Sequence, residues 1–197
     1  LSLEPRKQWP DAKKIPLGER AEVGNVLAHY ADGGWGTQVK EQREAGKYSD
    51  ELAWALADLI AKQSFDPPVE WVTCVPSSRS PELVARLAER VAGRLKLPFA
   101  PVVTRAIDGP RQREMNNSAQ QYENAQRAFT IPGDVPEGPV LLIDDLVDSG
   151  WTMTVVASQL RSHGSGPVHP IVLAQPRSEY RKSRVRRPAA SVVHRRA

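Results

Sequence analysis

The feature that most constrains this chain is one uninterrupted run, Val140-Leu141-Leu142-Ile143-Asp144-Asp145-Leu146-Val147-Asp148-Ser149-Gly150-Trp151-Thr152. Four consecutive apolar residues are the pattern of a strand covered on both faces, as in parallel sheets sandwiched between helices. Asp144 and Asp145 follow at once. Adjacent carboxylates at the end of a buried strand repel each other. That cost makes sense if sugar hydroxyls, or a metal held by a diphosphate, bind them. If repulsion is all they contribute to the empty domain, changing both to Asn should spare folding. Ser149-Gly150-Trp151-Thr152 then turns into a helix carrying Met153, Val155, Val156 and Leu160. Glycine permits the tight turn. Backbone N–H groups and two hydroxyls converge at a helix N-terminus, which attracts a phosphate. In parallel α/β sheets, ligands sit outside the carboxyl ends of the strands, where this turn falls.

The rest of the chain alternates strand and helix signals. Asp50–Lys62 has acids in its first turn and an apolar stripe of Leu52, Leu56, Leu59 and Ile60 at helical spacing. Trp71–Val75 reads as a buried strand, Pro76-Ser77-Ser78-Arg79 as a loop, and Ser80-Pro81 as a helix start. Leu83, Val84, Leu87, Ala88, Val91 and Leu95 put one face of that helix on a core. Phe99–Thr104 reads as a second strand and Val168–Ala174 as the last one, after Gly164 and Gly166 end the preceding helix. Gly33-Gly34-Trp35-Gly36 reads as a loop, and Leu1–Lys14 as an irregular lead-in. Ile107–Arg127 is rich in Gln, Asn and Arg with little apolar periodicity, so it is either functional or disordered. The sum is an α/β domain with a largely parallel sheet.

Composition narrows the chemistry. A single cysteine, Cys74, excludes an internal disulfide and a cysteine-based metal cluster, and its place in a core strand makes it packing. His29, His163, His169 and His194 lack metal-ligand spacing. No apolar run is long enough to cross a bilayer, and no signal-peptide pattern opens the chain, so a cytoplasmic setting is expected. The chain begins at Leu1 rather than Met, which suggests a piece of a longer protein. The formal charge of +4 is unevenly spread. Arg177–Ala197 holds eight Lys or Arg against Glu179, about +7, so the body is about −3. The basic tail is therefore either a solvated end or a non-specific grip on phosphate backbones, with Tyr180 its one aromatic.

VLLIDDLVDSGWT resembles the phosphoribosyl pyrophosphate-binding motif of type I phosphoribosyltransferases. The resemblance implies that Asp144 and Asp145 bind the ribose hydroxyls and, indirectly, Mg²⁺. It makes Ser149, Gly150, Trp151 and Thr152, with Asp148, the 5′-phosphate loop. Asp148 is similar to the aspartate that handles a proton near the base, so Asp144, Asp145 and Asp148 form the expected catalytic set. Trp151 departs from the family, which commonly has a smaller residue there. Ser77, Ser78 and Arg79 fall where the family has its pyrophosphate loop, and a guanidinium suits a diphosphate. Gln112, Asn116, Gln120 and Asn124, with Asn117, Gln121 and Arg127, fall where it has a mobile loop that closes over the sugar. The implied fold is the parallel-sheet type I phosphoribosyltransferase fold with helices on both faces. It divides as an N-terminal hood-like segment (1–48), a core (49–176, mobile loop 107–127) and the basic tail (177–197).

The middle stretch is also similar to competence-associated phosphoribosyltransferase-like proteins. The Gly-Trp-Gly segment, WVTCVPSSR, the Gln-rich loop and DDLVDSGWT, in that order, resemble the C-terminal phosphoribosyltransferase-like module of some bacterial RecQ-like DNA helicases. That implies phosphoribosyl pyrophosphate or a nucleotide as ligand, with Mg²⁺. It also implies DNA as a partner through upstream helicase domains and the tail, and leaves a homo-oligomer open. Two functions follow: transfer of a phosphoribosyl group to a nitrogen nucleophile, or a non-catalytic module that binds ligand or DNA and tunes the helicase.

Overall fold

The apolar run becomes a strand that continues through both carboxylates, Val140–Leu146. The computed structural model describes residues 1–77, 80–106 and 118–177. In chain order the strands are β1 (Ser2–Leu3), β2 (Gly24–His29), β3 (Trp71–Cys74), β4 (Thr104–Arg105), β5 (Phe129–Thr130), β6 (Val140–Leu146) and β7 (Val168–Gln175). The α-helices are α1 (Gly34–Ala45), α2 (Asp50–Ala61), α3 (Pro81–Leu95), α4 (Ser118–Ala128) and α5 (Trp151–Ser162). Five strands form one sheet in the order β1-β2-β7-β6-β3. β2, β7, β6 and β3 run parallel, and β1 caps the edge antiparallel to β2. β4 and β5 make a separate antiparallel ribbon.

Strand alternation sorts the core into two halves. Leu141 and Ile143 of β6 join Val72, Cys74, Ile171 and Leu173 beneath Val39 of α1, the Leu52, Leu56, Ile60 stripe of α2, and Leu83, Leu87 and Val91 of α3. Val140 and Leu142 join Trp71, Val26, Val168 and Val172 against Met153, Val156 and Leu160 of α5. Helices thus cover both faces of a mostly parallel sheet, as expected. β6 has strands on both sides, so all four of its leading apolar residues are completely buried. Ser49 caps α2 by accepting the Leu52 amide, the local reason that helix starts where it does.

Two sequence expectations change. Phe99–Thr104 is not one strand: Phe99 makes a single parallel bridge to Val72, and the regular strand is only Thr104–Arg105. Pro98 and Pro101 flank that bridge and have no N–H to give to a ladder. The glycine cluster at 33–36 is not simply a loop, because α1 begins at Gly34. A Cβ on Gly36 would overlap the carbonyl oxygen of His29, so this glycine serves a close helix-to-strand approach. The hood-like segment 1–48 contributes β2 to the main sheet and α1 to a helical layer. The stretch expected as a mobile loop, 107–127, includes most of α4, which packs against α5. Its buried residue is Ala125, too small to announce a core face in the sequence. Residues 107–117 lie outside the described residues, as do 178–197 of the basic tail.

Candidate functional site: the carboxyl ends of β3 and β6

Two loops leave the sheet side by side. Cys74 of β3 pairs with Ile143 of β6, and the Val75 amide donates to the Ile143 carbonyl at 2.9 Å. The loop carrying Pro76 and Ser77 therefore starts next to Asp144, and the loop 147–150 leaves β6 three residues later. Ser80 stands at the N-cap position of α3, without a side-chain capping bond. Ser77 is half-buried, and Ser78 and Arg79 lie outside the described residues.

The two adjacent carboxylates have different surroundings. Asp145, 4% exposed, is held by two donors from the helical layer. Arg43 Nε of α1 donates to its Oδ2 at 2.8 Å, and the Tyr48 hydroxyl donates to the same oxygen at 2.9 Å. Burial works against the Arg43 charge, but the Asp145 carboxylate outweighs it and raises the guanidinium above its usual range. Burial, then the same carboxylate, pushes the Tyr48 hydroxyl upward, keeping it a donor. Asp144 accepts the backbone amide of Asp145 at 2.7 Å. Burial, with the Asp145 charge adding to it, raises the Asp144 carboxyl well above the ordinary Asp range. Burial, with Asp144 nearby, pushes the Cys74 thiol up to about 12, which fits a packing residue and not a nucleophile.

This bears on the expectation that both acids can be changed to Asn with folding intact. Repulsion is one part of the picture, but Asp145 is also the counter-ion of a partly buried arginine. Arg43 and Tyr48 were not foreseen from the sequence. They stand about a hundred residues from Asp145, and no local motif marks them.

The turn after β6 is a glycine turn that opens α5. Gly150 takes a left-handed conformation, φ 80°, at the N-cap of α5. Its carbonyl is drawn into the helix by the Thr154 amide at 3.0 Å and the Thr154 hydroxyl at 2.9 Å. Ser149, Gly150 and Thr152 are half-buried, and Asp148 is exposed at the rim. Trp151 does not project into the opening: it is 2% exposed, under the N-terminal arm. Trp9 stacks over it at 6.5 Å and 15°, and Tyr122 of α4 meets it edge-on at 5.4 Å. The guanidinium of Arg6 lies 4.3 Å from its ring centroid. The departure from a small residue is thus absorbed by packing behind the turn. Gln120 and Asn124 lie on α4, Asn124 exposed, while Gln112, Asn116 and Asn117 fall outside the described residues.

A buried strand ending in two acids, a glycine turn and a helix N-terminus thus lies beside a second strand-end loop. The model of the phosphoribosyl transferase domain matches residues 44–189, most of the chain. The chain belongs to the phosphoribosyl transferase domain family. No curated protein matches it. Among solved structures, it is similar to an allosteric regulatory enzyme of purine biosynthesis (21% identity, TM-score 0.44, covering 62% of this chain and 25% of that one). It is also similar to orotate phosphoribosyltransferase from Aeropyrum pernix (21%, 0.42, 64% and 58%). A third is purine phosphoribosyltransferase from Pyrococcus horikoshii (16%, 0.41, 76% and 78%). The chain spans about a quarter of the length of the first of these.

For a phosphoribosyl transferase domain, the question of metal is open to a chemical test. Among the described residues no group of three or more His, Cys, Asp or Glu side chains could hold a metal ion. A Mg²⁺ ion here would need most of its oxygens from a ligand, which suits a diphosphate and is how Mg²⁺ commonly binds. Asp144 and Asp145 fit as supporting carboxylates. No helix among the described residues is long and apolar enough to cross a membrane.

Proposed function

We propose that this domain binds phosphoribosyl pyrophosphate, or a nucleotide phosphate, with Mg²⁺ at the carboxyl ends of β3 and β6. The observation that carries the proposal is the adjacency of the Asp144-Asp145 strand end, the left-handed turn at Gly150 and the loop through Ser77. The 5′-phosphate sits on the amides of Ser149–Thr152, where the α5 dipole favours it. Asp144 and Asp145 take the ribose hydroxyls, with Arg43 and Tyr48 holding Asp145 still. The loop Ser77–Arg79 takes the diphosphate, and Mg²⁺ would neutralise charge on that leaving group.

In transfer, a nitrogen of the acceptor forms a bond to C1 while the C1–oxygen bond to pyrophosphate breaks and the leaving group carries off the electron pair. Asp148, at the rim, receives the proton of the acceptor. The protein's share is holding the donor and balancing the leaving-group charge. The sequence resemblance supports a larger setting: a C-terminal module of a RecQ-like ATP-dependent DNA helicase in the cytoplasm, with DNA reached through upstream domains and the basic tail.

The test is calorimetric titration with phosphoribosyl pyrophosphate and Mg²⁺, followed by pyrophosphate release across purine and pyrimidine bases. Binding with release in the presence of one base supports the transferase. Binding without release supports a ligand-sensing module on the helicase. No binding overturns the proposal.

A further inference from the structure

Arg6 reaches the phosphate turn from the opposite end of the chain. Its Nε and Nη2 both donate to the Ser149 carbonyl oxygen, at 3.0 and 2.6 Å. Two parallel donors on one oxygen fix a guanidinium in place, and the Trp151 ring beneath supplies a cation–π seat. Leu3, Glu4 and Pro5, next to Arg6 in the chain, line a narrow cleft with Gly150, Met153 and Thr154.

The consequence follows from peptide geometry. In a trans peptide unit the C=O and the next N–H point in opposite directions. Holding the Ser149 carbonyl toward Arg6 therefore aims the Gly150 N–H away from Arg6. Thr154 likewise draws the Gly150 carbonyl into α5. A glycine turn is otherwise free to flip such a peptide, and a flipped unit would present a carbonyl to the anion in place of a donor. We infer that Arg6 is a positioning residue: it sets the Ser149–Gly150 peptide so that the Gly150 N–H faces a bound phosphate ester. It acts without touching that ester. Trp151, with Trp9 and Tyr122 against it, is the platform on which Arg6 is held.

The inference rests on the proposal that this turn takes a phosphate, and the two fail differently. Ribose 5-phosphate is titrated into the parent chain, Arg6→Ala and Arg6→Lys, with cooperative melting as the check of folding. The Gly150 amide is followed by ¹⁵N–¹H NMR. Arg6→Ala is expected to bind about tenfold more weakly, the equivalent of one hydrogen bond to a charged group. Its Gly150 amide loses the ligand-induced shift seen in the parent. Arg6→Lys keeps the charge but not the two-pronged hold and falls between. If Arg6→Ala does not fold, Arg6→Lys decides: weaker binding supports the inference and parent-like binding overturns it. Folded variants with parent affinity and an unchanged Gly150 shift overturn it while leaving the phosphate site standing. A parent chain that does not bind ribose 5-phosphate overturns both.

Discussion

Asp144 and Asp145 are chemically identical neighbours that the fold treats in opposite ways. Asp145 pairs with Arg43 and accepts from Tyr48, so removing it takes the ion-pair partner from a guanidinium with 20% side-chain exposure. Asp145→Asn is expected to cost about 3 kcal/mol, read by denaturant melts. Asp144 carries a carboxyl that burial pushes upward. It holds its proton more tightly folded than unfolded. Its contribution is therefore most favourable at low pH, and stability falls as pH rises from about 4 toward the raised value. Asp144→Asn removes that loss. Its melting temperature should exceed the parent's by a few degrees (about 1 kcal/mol corresponds to ~2–4 °C at this size) near neutral pH, with the gap closing toward pH 4. A gap independent of pH would mean that Asp144 is ionised in the fold. The sequence placed these two residues at a strand end, because the strand-acid-acid-turn pattern is local. It did not distinguish them, because the difference is made by Arg43 and Tyr48, brought in by packing.

Elements were legible where their signal was local and large. The α2 stripe, the Ser80 start of α3, and the β6-turn-α5 unit all fall within a residue or two of their expected positions. One element was misread where a small residue does the packing. At Gly36 the absence of a side chain lets α1 lie against β2. Gly36→Ala is expected to cost about 2 kcal/mol or more, and to loosen α1, which carries Arg43. Its signature in melts would be a loss that Asp145→Asn does not add to fully, since both release the same contact. At α4 the buried residue is again small, and Tyr122 ties the helix to Trp9 and Trp151. Hydrogen exchange should show the amides of the second half of α4 protected nearly as well as those of α5. Rapid exchange throughout 118–128 would return that segment to the mobile loop that the sequence suggested.

For the whole molecule, the charge divides by position more than by fold. The basic excess lies in Arg177–Ala197, and Arg177 itself pairs with Asp32 at 2.5 Å beside the start of α1. On the helicase proposal, the chain should bind DNA weakly and without sequence preference, losing affinity steeply with salt, and deletion of Arg177–Ala197 should abolish that binding. Equal binding by the shortened chain, measured by fluorescence anisotropy, would place the grip elsewhere.

On the proposed function, the carboxyl ends of β3 and β6 hold a phosphoribosyl group. Its most direct test is a crystal of this chain soaked with phosphoribosyl pyrophosphate and Mg²⁺. The 5′-phosphate is expected on the amides of Ser149–Thr152, the ribose hydroxyls on Asp144 and Asp145, and the diphosphate toward Ser77–Arg79. Electron density for the ligand at any other place, or a carbonyl of the 149–151 turn facing the phosphate, would contradict it.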